Sequence, residues 1–100
     1  MVQPCSFKLR KGSLKSKRHT HVDEGFQFAL AFCGDCGSPI YAEPYFDPDA
    51  EPGSGPYVVQ VGTLDSTGPL VAIPVKELNV KHRLGWVGAL AGAEQKKEYS

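Results

Sequence analysis

The run Phe26 to Phe32, FQFALAF, constrains this chain more than any other stretch. Phe26, Phe28, Leu30 and Phe32 fall on one side of an extended backbone, and Gln27, Ala29 and Ala31 on the other. That period of two fits a β-strand and not a helix. The strand delivers the chain directly into Cys33, and PIYAE, from Pro39 to Glu43, reads as its return. Cys33 and Cys36 therefore sit at the tip of a predicted hairpin.

A second strand is expected in YVVQVG, Tyr57 to Gly62, whose nearly continuous apolar residues suggest burial on both faces. The eleven glycines and eight prolines leave only short segments between them, which favours strands over helices. FDPDAEPGSGP, Phe46 to Pro56, is too rich in both for regular structure and reads as a polar loop. LVAIPV (70–75) and ELNVKH (77–82) are weaker strand candidates, the first suited to an edge by Pro74. The tail from Leu90 reads as loose, with a short helix as the lesser option. There is no internal repeat and no heptad pattern. One hundred residues support one domain with a modest core. The expected fold is a mostly β single domain over residues 1–100, built of short antiparallel strands.

The formal net charge is zero, but the charges are segregated. Residues 1–21 hold six cations (Lys8, Arg10, Lys11, Lys15, Lys17, Arg18) and no acid, whereas residues 22–75 hold eight acids and no Lys or Arg. A basic head of this kind can meet a polyanion. No aromatic stacking platform or groove-reading motif accompanies it, so nucleic acid is not the expected partner. Lys8 and Arg10 read instead as the solvent face of a strand that turns Phe7 and Leu9 inward. No apolar run approaches a membrane span, and the first twenty residues lack a signal peptide's apolar centre. Three cysteines, two of them paired as Cys-x-x-Cys, do not make a secreted disulfide framework. The expected address is the cytoplasm.

Two cysteines separated by two residues can bite one zinc ion from a tight turn, and Gly34 and Gly37 give the backbone freedom on both sides. A redox pair of this spacing opens a helix, whose N-terminus lowers the first thiol's pKa. Gly37, Pro39 and the strand that follows do not suit that context. Cys33 and Cys36 therefore read first as two ligands of a zinc-ribbon-like knuckle, and second as a metal-free relic of one. A closed site needs four ligands. His19 and His21, alternating along an extended segment, point to one face and are the nearest nitrogens for a Cys₂His₂ closure; the better reading is two exposed polar residues of a basic strand or loop. A second copy of the chain is the other way to complete the tetrahedron. His82 reads as surface, and Cys5, beside Pro4, has no ligand partner at useful spacing.

FCGDCGSPIYAE, then VVQVGTLD, then VKHRLGWVGALAGAEQ follow in an order and spacing that resemble the glutathione-dependent formaldehyde-activating enzymes, the domain family of centromere protein V. The likeness runs from about Phe7 to Gln95 and is nearest to fungal members. It implies a β-rich fold of the complex β-sandwich type with two zinc sites. One joins an N-terminal Cys-x-Cys to the later Cys-x-x-Cys; the other is a catalytic Cys-x-Cys-x-x-Cys that takes up the glutathione thiol. The implied activity is that of a carbon–sulfur lyase, joining formaldehyde and glutathione as S-hydroxymethylglutathione, with zinc as Lewis acid. Cys33 and Cys36 match the second half of the structural site. Both remaining motifs would lie upstream of Phe7, so the chain resembles an N-terminally truncated domain with zinc binding retained in part and catalysis impaired. The implied partner is glutathione or its aldehyde adduct, and the competing expectation is a non-catalytic zinc-knuckle binding module.

Three further features read as structural. Gly62 to Asp65, GTLD, looks like a strand end where Asp65 bonds the turn. Trp86 reads as a core or pocket-wall aromatic. Arg83 reads either as a partner for a glutathione carboxylate or as half of a surface ion pair.

Overall fold

The structure, a computed structural model, describes residues 1–99. The chain separates into two compact units, one spanning Met1–Ser66 and one that begins at Thr67. The first is a four-stranded antiparallel sheet in the order β1-β2-β3-β4, with β1 at Leu14–Thr20, β2 at Gln27–Cys33, β3 at Pro39–Tyr45 and β4 at Val58–Val59. The second holds a one-turn helix α1 (Gly68–Val71) and a two-residue parallel pair, β5 (Lys76–Glu77) with β6 (Glu94–Gln95). Mostly β architecture is what the sequence predicts. Among the described residues no helix is long and apolar enough to cross a membrane.

The alternating run forms β2, shifted by one residue, and its hairpin partner is β3 as expected. Strand β1 pairs with β2 over its full length, Leu14 opposite Cys33 and Thr20 opposite Gln27. Pairing of β2 with β3 sets Ala29 opposite Glu43 and Ala31 opposite Tyr41, with an irregularity after Ala31. The strand expected at Lys8–Arg10 does not form: Phe7 turns in, its ring edge-on to Tyr41 at 5.0 Å and Tyr57 at 5.7 Å, but Leu9 is half exposed. The basic residues instead begin the ladder in β1, an edge strand, where lysines discourage unwanted pairing.

Two further expectations are corrected. YVVQVG is not a strand buried on both faces. Val58 and Val59 pair opposite Ala42 and Tyr41, Tyr57 makes an isolated antiparallel bridge to Val2, and Val61–Thr63 then closes a 3-10 turn. Val58 lies at the sheet edge and stays exposed, because no strand covers β4 from outside. LVAIPV forms no strand either: its first residues complete α1, and Val71, Ile73 and Val75 are exposed.

Burial inverts the simplest picture of β2. The buried residues among those described are Ala31, Tyr45 and Glu43, all on the face that carries Ala29. Phe26, Phe28 and Phe32, on the other face, are half-buried, and Leu30 is exposed. His19 stacks on Phe28 at 5.5 Å, His21 on Phe26 at 4.9 Å, and Phe46 meets Phe26 at 4.7 Å. These rings cover one another on that face.

Candidate functional site

The Cys-x-x-Cys occupies the β2–β3 turn, and no helix starts there, which fits a knuckle better than a redox pair. Cys33 is half-buried at the strand end and Cys36 is exposed; both are free thiols. Gly37 takes the left-handed conformation (φ 79°) and its N–H donates to the Cys33 carbonyl at 2.9 Å, closing the turn. Gly34 serves differently from expectation. Its φ is ordinary, but a Cβ there would lie 2.8 Å from the Ser13 hydroxyl and 3.2 Å from the Ser13 carbonyl oxygen, so glycine eases the close approach to the start of β1. The Cys36 thiol and the Ser38 hydroxyl share a hydrogen bond of 3.2 Å. That bond, then the Ser38 backbone N–H and the Cys33 thiol, hold the Cys36 thiol below its ordinary value.

A tetrahedral zinc centre requires two more donors. His19 and His21 do not supply them. His19 pairs with Phe28, five residues along the ladder from Cys33 opposite Leu14, a separation of about 17 Å at the rise of an antiparallel strand. His21 lies beyond it, its Nδ1 accepting the Glu24 N–H at 3.0 Å. Among the described residues no group of three or more His, Cys, Asp or Glu could hold a metal. The chain's own donors therefore fit half of a zinc site and not the whole.

The middle of the same sheet carries a feature that sequence reasoning missed. A cavity of about 340 Å³ opens over Ala29 and Ala31. Its walls are Ser16 and Arg18 from β1 and Tyr41, Glu43 and Tyr45 from β3, with Tyr57, Pro52 and Gly53 closing over them. Arg18, Ala29 and Glu43 form one row across three strands, because each is the register partner of the next. The short Ala29 side chain leaves room between a cation and an anion.

Glu43 is only 4% exposed. Its Oε1 accepts the Tyr45 hydroxyl at 2.5 Å, and its Oε2 accepts the N–H groups of Gly53 at 2.8 Å and Gly55 at 3.3 Å. The carboxylate thus ties the Phe46–Pro56 loop to the sheet. Burial, and then the bond to Glu43, push the Tyr45 hydroxyl up to about 12, although Arg18 pulls the other way. Burial and the bond to Tyr57 raise Tyr41 to about 12 as well. The Arg18 guanidinium lies 4.2 Å over the Tyr45 ring, and its Nε–H donates to Gln27 at 2.6 Å. The signal that could have exposed this site is the alternation Tyr41, Glu43, Tyr45, which puts an ionisable group on the face of β3 opposite Ala29 and Ala31.

The remaining candidates lie elsewhere. Arg83 makes the surface ion pair, 3.2 Å from Glu77, and also donates to Gln95. Trp86 is not a core aromatic: it is 83% exposed. His82 is exposed as expected. In the turn after β4 the Thr63 hydroxyl, in place of Asp65, closes the hydrogen bond, donating to the Gln60 carbonyl at 2.7 Å. A shallower cavity of about 240 Å³ in the second unit is lined by Asn79, His82, Arg83 and Tyr99 among others.

The family described as glutathione-dependent formaldehyde-activating enzyme matches residues 1–81. No curated protein and no solved structure matches the chain.

Proposed function

The chain belongs to the glutathione-dependent formaldehyde-activating enzyme family, which matches more than half of it, and on that premise we propose that it binds glutathione or a glutathione–aldehyde adduct. The family match is the observation that carries this. The reaction class it suggests is carbon–sulfur bond formation and cleavage, of the S-hydroxymethylglutathione synthase type. In this chain that activity is impaired, because the thiol-activating donor set is incomplete among the described residues. Cys33 and Cys36 are two of the four ligands of a structural zinc knuckle, with the other two supplied from outside these residues, for instance by the same pair on a second copy. Zinc bound there would lower thiol pKa values and brace the hairpin; the chain's own contribution is the tight turn at Gly37 and the hydrogen bond from Ser38. The sandwich expected of the family would set a second layer on the half-covered Phe26–Phe32 face. Three free thiols suit a reducing compartment such as the cytoplasm.

The alternative of a non-catalytic binding module draws support from the same incomplete donor set, and one experiment tests whether the chain catalyses at all. Glutathione and formaldehyde combine without a catalyst, so the test is exchange spectroscopy on that equilibrium with and without the zinc-loaded protein. We expect no acceleration above the uncatalysed rate. Clear acceleration that vanishes in Cys33→Ser would overturn the proposal and make the hairpin itself catalytic.

A further inference from the structure

We propose that the cavity over Ala29 binds the zwitterionic head of an α-amino acid, its ammonium toward Glu43 and its carboxylate toward Arg18. The argument begins with charge. Glu43 is buried, and the groups that bond it (the Tyr45 hydroxyl and the N–H groups of Gly53 and Gly55) are all neutral. A buried carboxylate without a countercharge is costly, and such groups are ordinarily paired. Among the described residues no ion pair joins it to a cation. Three donors leave lone-pair capacity for a fourth, since two carboxylate oxygens offer about four acceptor sites.

The nearest cation across the cavity is Arg18. Its guanidinium is oriented twice, by the Gln27 side chain at Nε and by the Tyr45 ring beneath it. That leaves the two terminal nitrogens to present a fork, the geometry that suits a carboxylate. Arg18 and Glu43 line one cavity, but they do not bridge to each other. Their backbones stand two strand spacings apart, about 10 Å, with Ala29 between them. A simple anion placed there would meet Glu43, and a simple cation would meet Arg18. A zwitterion satisfies both, and its size suits a space of about 340 Å³, within the range of small-molecule pockets. The Tyr41 and Tyr45 hydroxyls stay neutral at physiological pH and add no competing charge.

As a statement about glutathione, this rests on the function proposed above, since the γ-glutamyl end of glutathione keeps its α-ammonium and α-carboxylate free. Glu43 also anchors the loop, so the ammonium contact is tested on the ligand rather than on the protein. Binding to the full chain is measured by calorimetry for glutathione, N-acetylglutathione and γ-glutamylalanine, and for glutathione and γ-glutamylalanine with Arg18→Gln. We expect N-acetylation and Arg18→Gln each to weaken glutathione binding by about tenfold or more, the scale of one charged hydrogen bond. Glutathione binding that is indifferent to both changes would overturn the zwitterion site and leave the glutathione proposal standing. Binding of γ-glutamylalanine without binding of glutathione, still dependent on Arg18, would support the site and overturn the glutathione proposal. Binding of none of these would overturn both.

Discussion

The two units of this chain show what a paired register achieves that local charge does not. In the first, seven residues of β1 pair with seven of β2, and β3 follows on the other side. Such a ladder can hold a carboxylate away from water and still satisfy it. In the second, the only strand pairing among the described residues is two residues against two, and Glu77 gathers the bonds that hold it. It accepts the Leu90 N–H at 2.8 Å, the Gln95 amide at 2.6 Å and Arg83 at 3.2 Å. Ion pairs Lys76–Glu94 at 3.6 Å and Lys81–Glu98 at 3.0 Å add to it. Partly exposed pairs of this kind contribute little each. Among the described residues of this unit none is buried, and Val71, Ile73, Val75 and Trp86 are each at least 74% exposed. The two acids Glu43 and Glu77 are both multiply bonded. Only the first is buried.

The largest effect should come from breaking that asymmetry at its source. Glu43→Ala removes an acceptor for three donors and should destabilise the first unit by roughly 3 kcal/mol. Amide exchange at Ala29 and Ala31 should accelerate accordingly, with the second unit unaffected.

A smaller effect should appear at high pH, again in the first unit. Tyr41 and Tyr45 have folded-state values of about 12, against an ordinary 10. Below about pH 10 both states keep the protons and stability is level. Between 10 and 12 the unfolded chain ionises first, so stability falls as pH rises. Urea unfolding at pH 8 and pH 11 measures this, and Tyr45→Phe should reduce the fall.

The smallest effect should be at Glu77. The Leu90 N–H first, then the Gln95 amide and Arg83, hold its carboxyl below the ordinary 4.5. Its contribution is therefore present above that pH and lost on acidification through the lowered value. Glu77→Gln should speed amide exchange around Leu90 and Gln95 at neutral pH while leaving Ala31 unchanged. A global loss of stability would erase the contrast between the units.

What the sequence makes legible follows the same divide. The period of two in FQFALAF locates β2, and the Gly-Pro punctuation locates the hairpin turn. Which face of β2 is covered is not written in that strand alone. It is decided by Tyr41, Tyr45, Phe7 and the loop held by Glu43, contacts far apart in sequence. Strand β1 was hidden because its residues are chosen for an edge, with Lys15, Lys17 and Arg18 where a strand signal expects apolar side chains. In the second unit, apolar content misleads: LVAIPV and Trp86 have the residues of a core but no ladder to bring them together. Cys33 and Cys36 were legible as a pair, whereas the distance of His19 from them became visible only once the register was known.

Chemical-shift mapping with glutathione on the labelled full chain decides whether ligand chemistry resides in the first unit. Shifts should concentrate at Arg18, Ala29, Ala31, Glu43 and Gly53, with Glu77, His82 and Arg83 unmoved. Shifts confined to the Arg83 and His82 cavity, with the Ala29 row silent, would contradict that expectation.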